Sequence, residues 1–575
     1  MTAPRAIAKQ ERPSFKLLSN GSEVERSINM VMLEVNTAVN KIAQARIVLA
    51  DGDPATQTFA HSSGDVFVPG NELEIQLGYA DLVETVFKGI IVKQKITSRG
   101  NAGMLELTCK HPAFRMANAE KFTVFEEMTD ADVIQQKVQE YGLQPDAAQT
   151  TVTHENLVQY KTTDWDFLVN RAESNGHIVI CEPDKLKTIA PEVNSTADLA
   201  LQFGATLLDF EVELDGRNQE ESLTAFGWSY DNQAANESES SLGDLATVGN
   251  LAAADLASAL SNNPETSHYA AIAKQQELDA LAAAEQTRRR LSKLRATVTV
   301  QGNTTCTPGS TVQLNGLGDR FNGNALVTGV LHTFKNGVWK TALQLGLNPI
   351  SHLETYTPLP KSAYAIPRTQ GLEIGIVTDL EDPTGSFRVR VQFPALGDQP
   401  SVWARMAQPD AGSERTVFFR PEVGDEVIVG FINDDPRAPI ILGALHSSAN
   451  ASPVPQSNDN HQKGIVTRSD LRHLFDDEKK VITITTPAGN IIELSEDAQG
   501  IRIEDQNGNK IEMTPSGVTV ESATALTLQA GTDLTIEAAN ITLKASAQFK
   551  AEGGACAELN SSGITKVNGS LVQIN

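Results

Sequence analysis

Aromatic side chains are scarce in this chain. They make up 5% of its 575 residues, and beyond Phe475 there is only Phe549. So few rings leave no surface on which the C-terminal part could stack sugars or bases. Cations are also in deficit, with 47 Lys and Arg against 72 Asp and Glu, a net charge of −25. A surface this acidic repels phosphate backbones and anionic lipid, which argues against nucleic-acid and membrane-surface binding. The four cysteines, Cys109, Cys181, Cys306 and Cys556, lie in four different regions with no CxxC pair. That spacing suits neither a zinc site nor a disulfide framework, and it predicts small buried thiols in a protein that folds in a reducing cytoplasm. No apolar run is long enough to span a bilayer. The N-terminal stretch MTAPRAIAKQERPSFKLLSNG has no apolar h-region, so any export is expected to depend on another carrier.

What is present is an ordinary globular composition, long enough for three or four domains. Residues 1 to about 230 mix short strands with two helices. EIQLGYA (74–80) and FKGIIVKQKIT (87–97) read as strands by alternation and β-branched content. One helix is predicted from Ala131 to Tyr141, with Thr129 or Asp130 as N-cap and Gly142 at its end. A second follows Thr163-Asp164, with Asp164 as cap, and stops before Gly176. Residues 231–264 are rich in Asn, Ser, Ala and Glu and read as a surface loop or insertion. A helix over 267–295 follows, whose terminal Arg288, Arg289, Arg290, Lys293 and Arg295 complement the helix dipole. From Ala296 to Leu347 the chain alternates again, as barrel strands do. A connector near 349–368 leads to a compact all-β unit at 371–446, and 450–463 reads as a linker.

The last hundred residues carry a repeat of apolar pairs at i and i+2. The pairs are Ile482/Ile484, Ile492/Leu494, Ile501/Ile503, Ile511/Met513, Val518/Val520, Leu526/Leu528, Leu534/Ile536 and Ile541/Leu543, with gaps of 10, 9, 10, 7, 8, 8 and 7. Polar residues lie between the members, so each unit is a short strand with one face to bury. Gly-containing turns (PAGN, DAQG, QNGN, PSG) separate the early units and suggest a meander. Strands this short cannot bury an apolar face alone. A single-chain solenoid would need a superperiod of roughly 24 residues, three strands per coil. Neighbouring units look alike instead, which favours an intertwined trimer with Val518, Val520, Leu526, Leu528, Leu534, Ile536, Ile541 and Leu543 as its core.

The unit at 371–446 reads GIVTDLEDPTGSFRVRVQFPALGD, SVWARMAQPDAG and FFRPEVGDEVIVGFINDDPRAPIILGALH. In order and spacing these segments resemble the OB-fold of phage baseplate spikes and of VgrG-type (valine-glycine repeat) proteins. DWDFLVNRAESNG (164–176) and FNGNALVTGVLHTFKNG (321–337) are similar to the hub half of that family, and LFDDEKKVITITTPAGNIIEL (474–494) to the start of its β-prism. The resemblance implies a mainly β protein with minor α. Its parts would be a hub of two barrel-like subdomains over 1–365 (with a helical insert at 231–295), an OB-fold collar over 366–450, a linker over 451–480 and a trimeric β-helical needle over 481–575. It further implies a homotrimer at the end of an inner tube of a contractile injection system. Its partners would be tube and baseplate proteins and a cone-shaped PAAR-repeat tip protein, with the target membrane met only on firing. The particle would assemble in the bacterial cytoplasm and then be carried out or injected.

Little in the sequence points to chemistry. Asp164 and Asp166 flank Trp165 and could pose as a glycosidase pair, but a helix cap and a core Trp account for them. His332 lies in a strand, VLHTF, as a structural residue. No GxSxG, HExxH, Walker or GxGxxG pattern occurs. The phage relative carries a lysozyme domain between collar and needle, where this chain has only about thirty residues, too few for an enzyme domain. Some phage spikes close their apex with an HxH metal site, whereas the histidines here end at His473. The collar holds six Arg and Lys against twelve Asp and Glu, so nucleic-acid binding by the OB-fold is not expected. The expectation is therefore a structural spike that is not an enzyme and needs no cofactor or metal. The alternatives are a type VI secretion effector carrier or, in another class, a single-chain β-solenoid acting on polysaccharide. Val572 and Ile574 continue the apolar pattern, which makes Leu571, Val572, Gln573, Ile574 and Asn575 the expected seat of the tip protein.

Overall fold

A computed structural model describes residues 12–574, except 26–27, 100–101, 230–233, 246–247, 263, 270–273, 357–368, 370 and 395–399. The chain divides into two units, Met1–His446 and Ser447–Asn575.

In the first unit a 13-stranded sheet organises the hub. Its halves meet where Gly323–Lys335 pairs antiparallel with Met30–Ala38, Phe334 opposite Leu33. Each half has its own apolar core. The N-terminal one gathers Leu33, Ile47, Ile75, Leu105 and Trp165, and the other Val298, Val312, Leu314, Val327 and Leu343. The expected strands are present as Glu72–Tyr79 and Leu82–Arg99, somewhat longer than their apolar runs.

Helix α1 (Asp130–Glu140) starts at Thr129, whose Oγ1 accepts the N–H of Asp132 at 3.2 Å while Asp132 Oδ2 accepts the N–H of Thr129 at 3.2 Å. Helix α2 (Asp164–Ser174) is capped by Thr163, whose Oγ1 accepts the N–H of Asp166 at 3.1 Å. The expected cap, Asp164, is instead the first helical residue, and its side chain is turned inward.

The insertion departs most from expectation. Residues 234–240 form a strand, not a loop, pairing antiparallel with Leu223–Ser229, which also pairs parallel with Glu265–Tyr269. The same segment holds a helix, α3 (Ala253–Leu260), and the expected helix follows as α4 (Gln275–Ser292). The helix expected from 267 starts eight residues later because 265–269 is taken up by the sheet. Leu223 and Ala225 pack with Leu278, Leu281 and Ala282 in a small separate core. The basic run also does more than complement a dipole. Arg289 pairs with Glu220 at 2.6 Å, Arg290 donates to the carbonyls of Glu220 (2.7 Å) and Leu242 (2.9 Å), and Lys293 pairs with Asp244 at 3.0 Å. These buried cations hold the insertion onto the hub. A short helix, α5 (His352–Tyr356), ends the hub.

The collar is a closed barrel of five strands, Glu373–Asp379, Val389–Gln392, Val402–Met406, Glu426–Phe431 and Pro439–Ala444. Val377, Val389, Val391, Val402, Ala404, Val427, Val429 and Ile441 fill it. The interior is narrow: a Cβ on Gly375 would lie 2.2 Å from Val391 Cγ1. Gly424 adopts φ 96°, as the turn before Glu426 requires. A two-stranded hub ribbon, Glu120–Thr129 with Thr153–Thr163, lays Val124, Val158 and Tyr160 against the barrel.

In the second unit a seven-stranded antiparallel meander runs from Gln462 to Glu521. It begins within the segment expected to be linker, through the strands Gln462–Val466 and Arg472–Asp476.

Candidate functional site: the apolar face of the needle

The meander repeats as hairpins. Odd strands start at 462, 481 and 500 and even strands at 472, 491 and 510, a spacing of nineteen residues. The alternating gaps of 10 and 9 in the sequence are this period, which a reading of neighbouring units as equivalent misses. Two turns repeat with it. In Thr486–Asn490 and Asp505–Asn509 the last residue is Asn, and its side chain reaches the next turn on the same edge. Asn490 Oδ1 accepts the N–H of Gln506 at 3.2 Å, and Asn509 Oδ1 accepts the N–H of Ala523 at 3.0 Å.

The register places every apolar pair on one face. Ile484 is opposite Ile492, Ile492 opposite Ile503, Ile503 opposite Ile511, and Ile511 opposite Val520. The other face carries the ladder Thr483, Glu493, Arg502, Glu512 and Thr519. Within the second unit no described strand forms a second layer over the apolar face. Ile482, Ile492 and Ile511 are 37–39% exposed, and Val518 and Val520 rise to 67% and 51%. A groove of about 630 Å³ runs along it past Ile492, Ile503, Ile511, Val520 and Leu526.

Beyond Glu521 the described residues hold no strand. The remaining expected core residues stand exposed: Leu526, Leu528, Leu534, Ile536, Ile541 and Leu543 lie between 52% and 69%. At the proposed tip seat Leu571, Val572 and Ile574 are exposed, Gln573 is exposed as well, and Asn575 falls outside the described residues. Cys109, Cys181 and Cys306 are buried as expected, but Cys556, in this uncovered segment, is exposed.

The candidate carboxylate pair is closed to chemistry. Asp164 is fully buried and accepts from Tyr141 Oη (2.6 Å) and Gln159 Nε2 (2.8 Å), with Lys121 Nζ at 2.6 Å and Lys137 Nζ at 3.4 Å. Burial pushes its pKa up, but Lys121, Tyr141, Gln159 and Lys137 outweigh burial and hold the carboxyl below its ordinary range. Asp166 is likewise lowered against burial, by His352 at 2.9 Å and the Thr163 hydroxyl at 2.6 Å. Neither can hold a proton near neutrality to act as a general acid. Trp165 between them is in the core. His332 is buried against Thr341 Oγ1 at 3.0 Å, and desolvation lowers it to about 4. Among the described residues no cluster of His, Cys, Asp and Glu could hold a metal ion. No described helix is long and apolar enough to cross a membrane.

Asp164, Asp166 and His332 are thus tied up within the hub, and the second unit presents an apolar ladder. A family model described as the Alg8 N-terminal domain matches residues 9–336, and one described as the type VI secretion system/phage-baseplate injector OB domain matches residues 373–446. The chain belongs to the Alg8 N-terminal domain family over more than half its length and carries the injector OB domain behind it, the build of a VgrG-type spike protein. It is 42% identical over 71 residues to type VI secretion system spike protein VgrG3 of Vibrio cholerae, which is 12% of this chain and 7% of that protein. It is 35% identical over 112 residues to spike protein VgrG5 of Pseudomonas aeruginosa, 17% of this chain and 14% of that one. The matches thus span a small part of these relatives. A chain of the Francisella PdpA-VgrG complex shares the fold, with TM-score 0.53 and 8% identity over 90% of this chain and 80% of its own.

Proposed function

We propose that this protein is the homotrimeric spike at the end of a contractile injection system's inner tube, and that it pierces the target envelope. The observation that carries the reading is the uncovered ladder from Ile482 to Val520, continued by the pairs Leu526/Leu528 to Ile541/Leu543. A single-layer sheet with one apolar face is unstable alone. Three copies packed about an axis cover every ladder and leave the ladder of Glu493, Arg502 and Glu512 outside. The hub and collar meet tube and baseplate proteins, and the particle assembles in the cytoplasm. The exposed Leu571, Val572 and Ile574 support a seat for a PAAR-repeat cone. The protein acts mechanically and catalyses nothing; its two candidate carboxylates are tied up in the hub. A single-chain solenoid is the weaker reading, since the meander forms one layer and no coil closes on it among the described residues.

The test is a pull-down of a purified PAAR-repeat protein by the full chain and by a chain lacking 571–575. The full chain is expected to bind, and the truncated one to keep its mass and lose binding. Equal capture by both places the cone elsewhere.

A further inference from the structure

Helix α4 meets the insertion with buried cations, and one of them has no carboxylate bonded to it. Arg289 pairs with Glu220 at 2.6 Å and Lys293 with Asp244 at 3.0 Å. Arg290 is 3% exposed, and its hydrogen bonds among the described residues go to backbone carbonyls. Its Nε donates to Leu242 at 2.9 Å, and its Nη2 to Glu220 at 2.7 Å and Glu221 at 3.4 Å. A carbonyl oxygen satisfies an N–H but brings no net charge. A charge taken out of water is costly unless an opposite charge meets it. Burial lowers the Arg290 pKa from the guanidinium's ordinary value. The charges of Asp244 and Glu220, already engaged by Lys293 and Arg289, do not reverse that shift.

One donor of Arg290 is also left over. Among the described residues no partner reaches its Nη1. One turn earlier on α4, Gln286 is 1% exposed and stands in the same position. Its neighbours fix the orientation of its amide. The Leu242 N–H, at 2.5 Å, can be met only by the amide oxygen, which also accepts the Ser240 hydroxyl at 2.7 Å. Nε2 is therefore a donor, and it too has no partner among the described residues. Both side chains grip Leu242, Gln286 through its N–H and Arg290 through its carbonyl. Their i, i+4 spacing puts them on one face of the helix, against the same segment of the insertion.

Two leftover donors beside an unmatched positive charge define the chemistry of what belongs there. Gln219 Oε1, wholly buried in the same junction, lacks a donor and suits a water. Water would satisfy the donors of Gln286 and Arg290 as well, but it brings no charge to the guanidinium. We propose that Gln286 Nε2 and Arg290 Nη1 hold a small monovalent anion of the chloride class, which supplies the counter-charge for Arg290 and fastens the insertion to α4. The docking of the insertion is then linked to halide concentration, as any ligand bound by the folded state alone is linked to stability.

The test melts the full chain at fixed ionic strength while chloride replaces gluconate. The first unit's transition is expected to rise by about 1–3 °C for each tenfold increase in chloride above its dissociation constant, and bromide should act alike. A transition that ignores the halide overturns the site. Gln286→Glu gives a second arm, since it keeps an oxygen for the Leu242 N–H and sets a carboxylate beside Arg290. This variant is expected to melt in gluconate at or above the temperature of the wild type in chloride, and to lose the halide response. Melting below the wild type in gluconate, or an undiminished halide response, contradicts the proposal. A third readout needs no variant: crystals of the wild type grown in bromide should show an anomalous peak within hydrogen-bond reach of both donors. Water at that place, or bromide bound at crystal concentration only with no effect on melting, overturns it.

Discussion

Isoleucine and leucine serve two different ends in the two units. In the hub, Ile47, Ile75 and Leu105 are wholly buried by their own chain. In the needle, Ile482 is 37% exposed and Leu543 69%. A fully buried side chain of this size stabilises by about 1.5–3 kcal/mol. The hub gains that on folding, whereas the needle by itself leaves most of it ungained. Polar groups show the same division. The hub buries Asp130 against Arg171 at 2.6 Å, with His154 and Asn175 completing the network. The needle keeps its ion pairs outside, as in Arg502–Glu504, on the face opposite its apolar ladder. One unit covers its apolar residues itself, and the other leaves them exposed.

Two substitutions separate these behaviours most strongly. Leu528→Asp places three carboxylates in the trimer's interior, at about 3–5 kcal/mol per copy, so size exclusion should show the trimer lost while the hub's thermal transition stays in place. Thr527→Asp, one position out of phase, should leave the trimer intact; equal loss from both would mean that the inside and outside of the needle are misassigned. Arg437→Met works the other way. Arg437 joins Asp435 of the collar, at 2.8 Å, to Glu277 of α4, and all three are nearly enclosed. Removing the cation takes from Glu277 and Asp435 the guanidinium they share, leaving Asp435 only the charge of Arg171, and should cost about 3–5 kcal/mol. That loss belongs in the first unit's denaturation curve, with the trimer's mass unchanged.

Acid should distinguish the units next. His111 and His332 are held neutral by burial, their pKa lowered from the ordinary 6.5 to about 4. Between those values the unfolded chain binds protons that the folded chain refuses, so stability falls as pH falls from about 6.5 to 4. The slope is up to about 1.4 kcal/mol per pH unit for each histidine. From Val481 on the needle has no histidine, so between about pH 6.5 and 5.5, above the range of its carboxylates, its dissociation should be flat. A matching slope in both units would remove the assignment. Smallest is Asn509→Ala, which takes away the acceptor for the Ala523 N–H and the Ser522 hydroxyl. About 1–2 kcal/mol is expected, read as faster amide exchange at Ala523 and little change at Asn490.

Much of this was legible in the sequence because its signals were local. A cap at Thr129 or Asp130, Gly142 and Gly176 after the helices, and the Val-rich collar strands announce themselves by type and spacing. The alternation at 482–520 showed which residues share one face of the meander. What stayed hidden depended on contacts distant in sequence. The strand at 234–240 is made of Ala, Asn, Glu and Ser, and it forms because Leu223–Ser229 offers a backbone edge. The run from Arg288 to Lys293 looks like a solvated helix end until Glu220 and Asp244 are placed beside it. The exposure of Phe387 was invisible for a different reason: no pattern in DPTGSFR says that its ring is turned outward.

The central claim is that the needle's interior is made by three chains, and solution mass tests it most directly. Light scattering on the purified full chain at micromolar concentration should return three times 61.9 kDa, about 186 kDa. A stable species at 61.9 kDa would contradict the account.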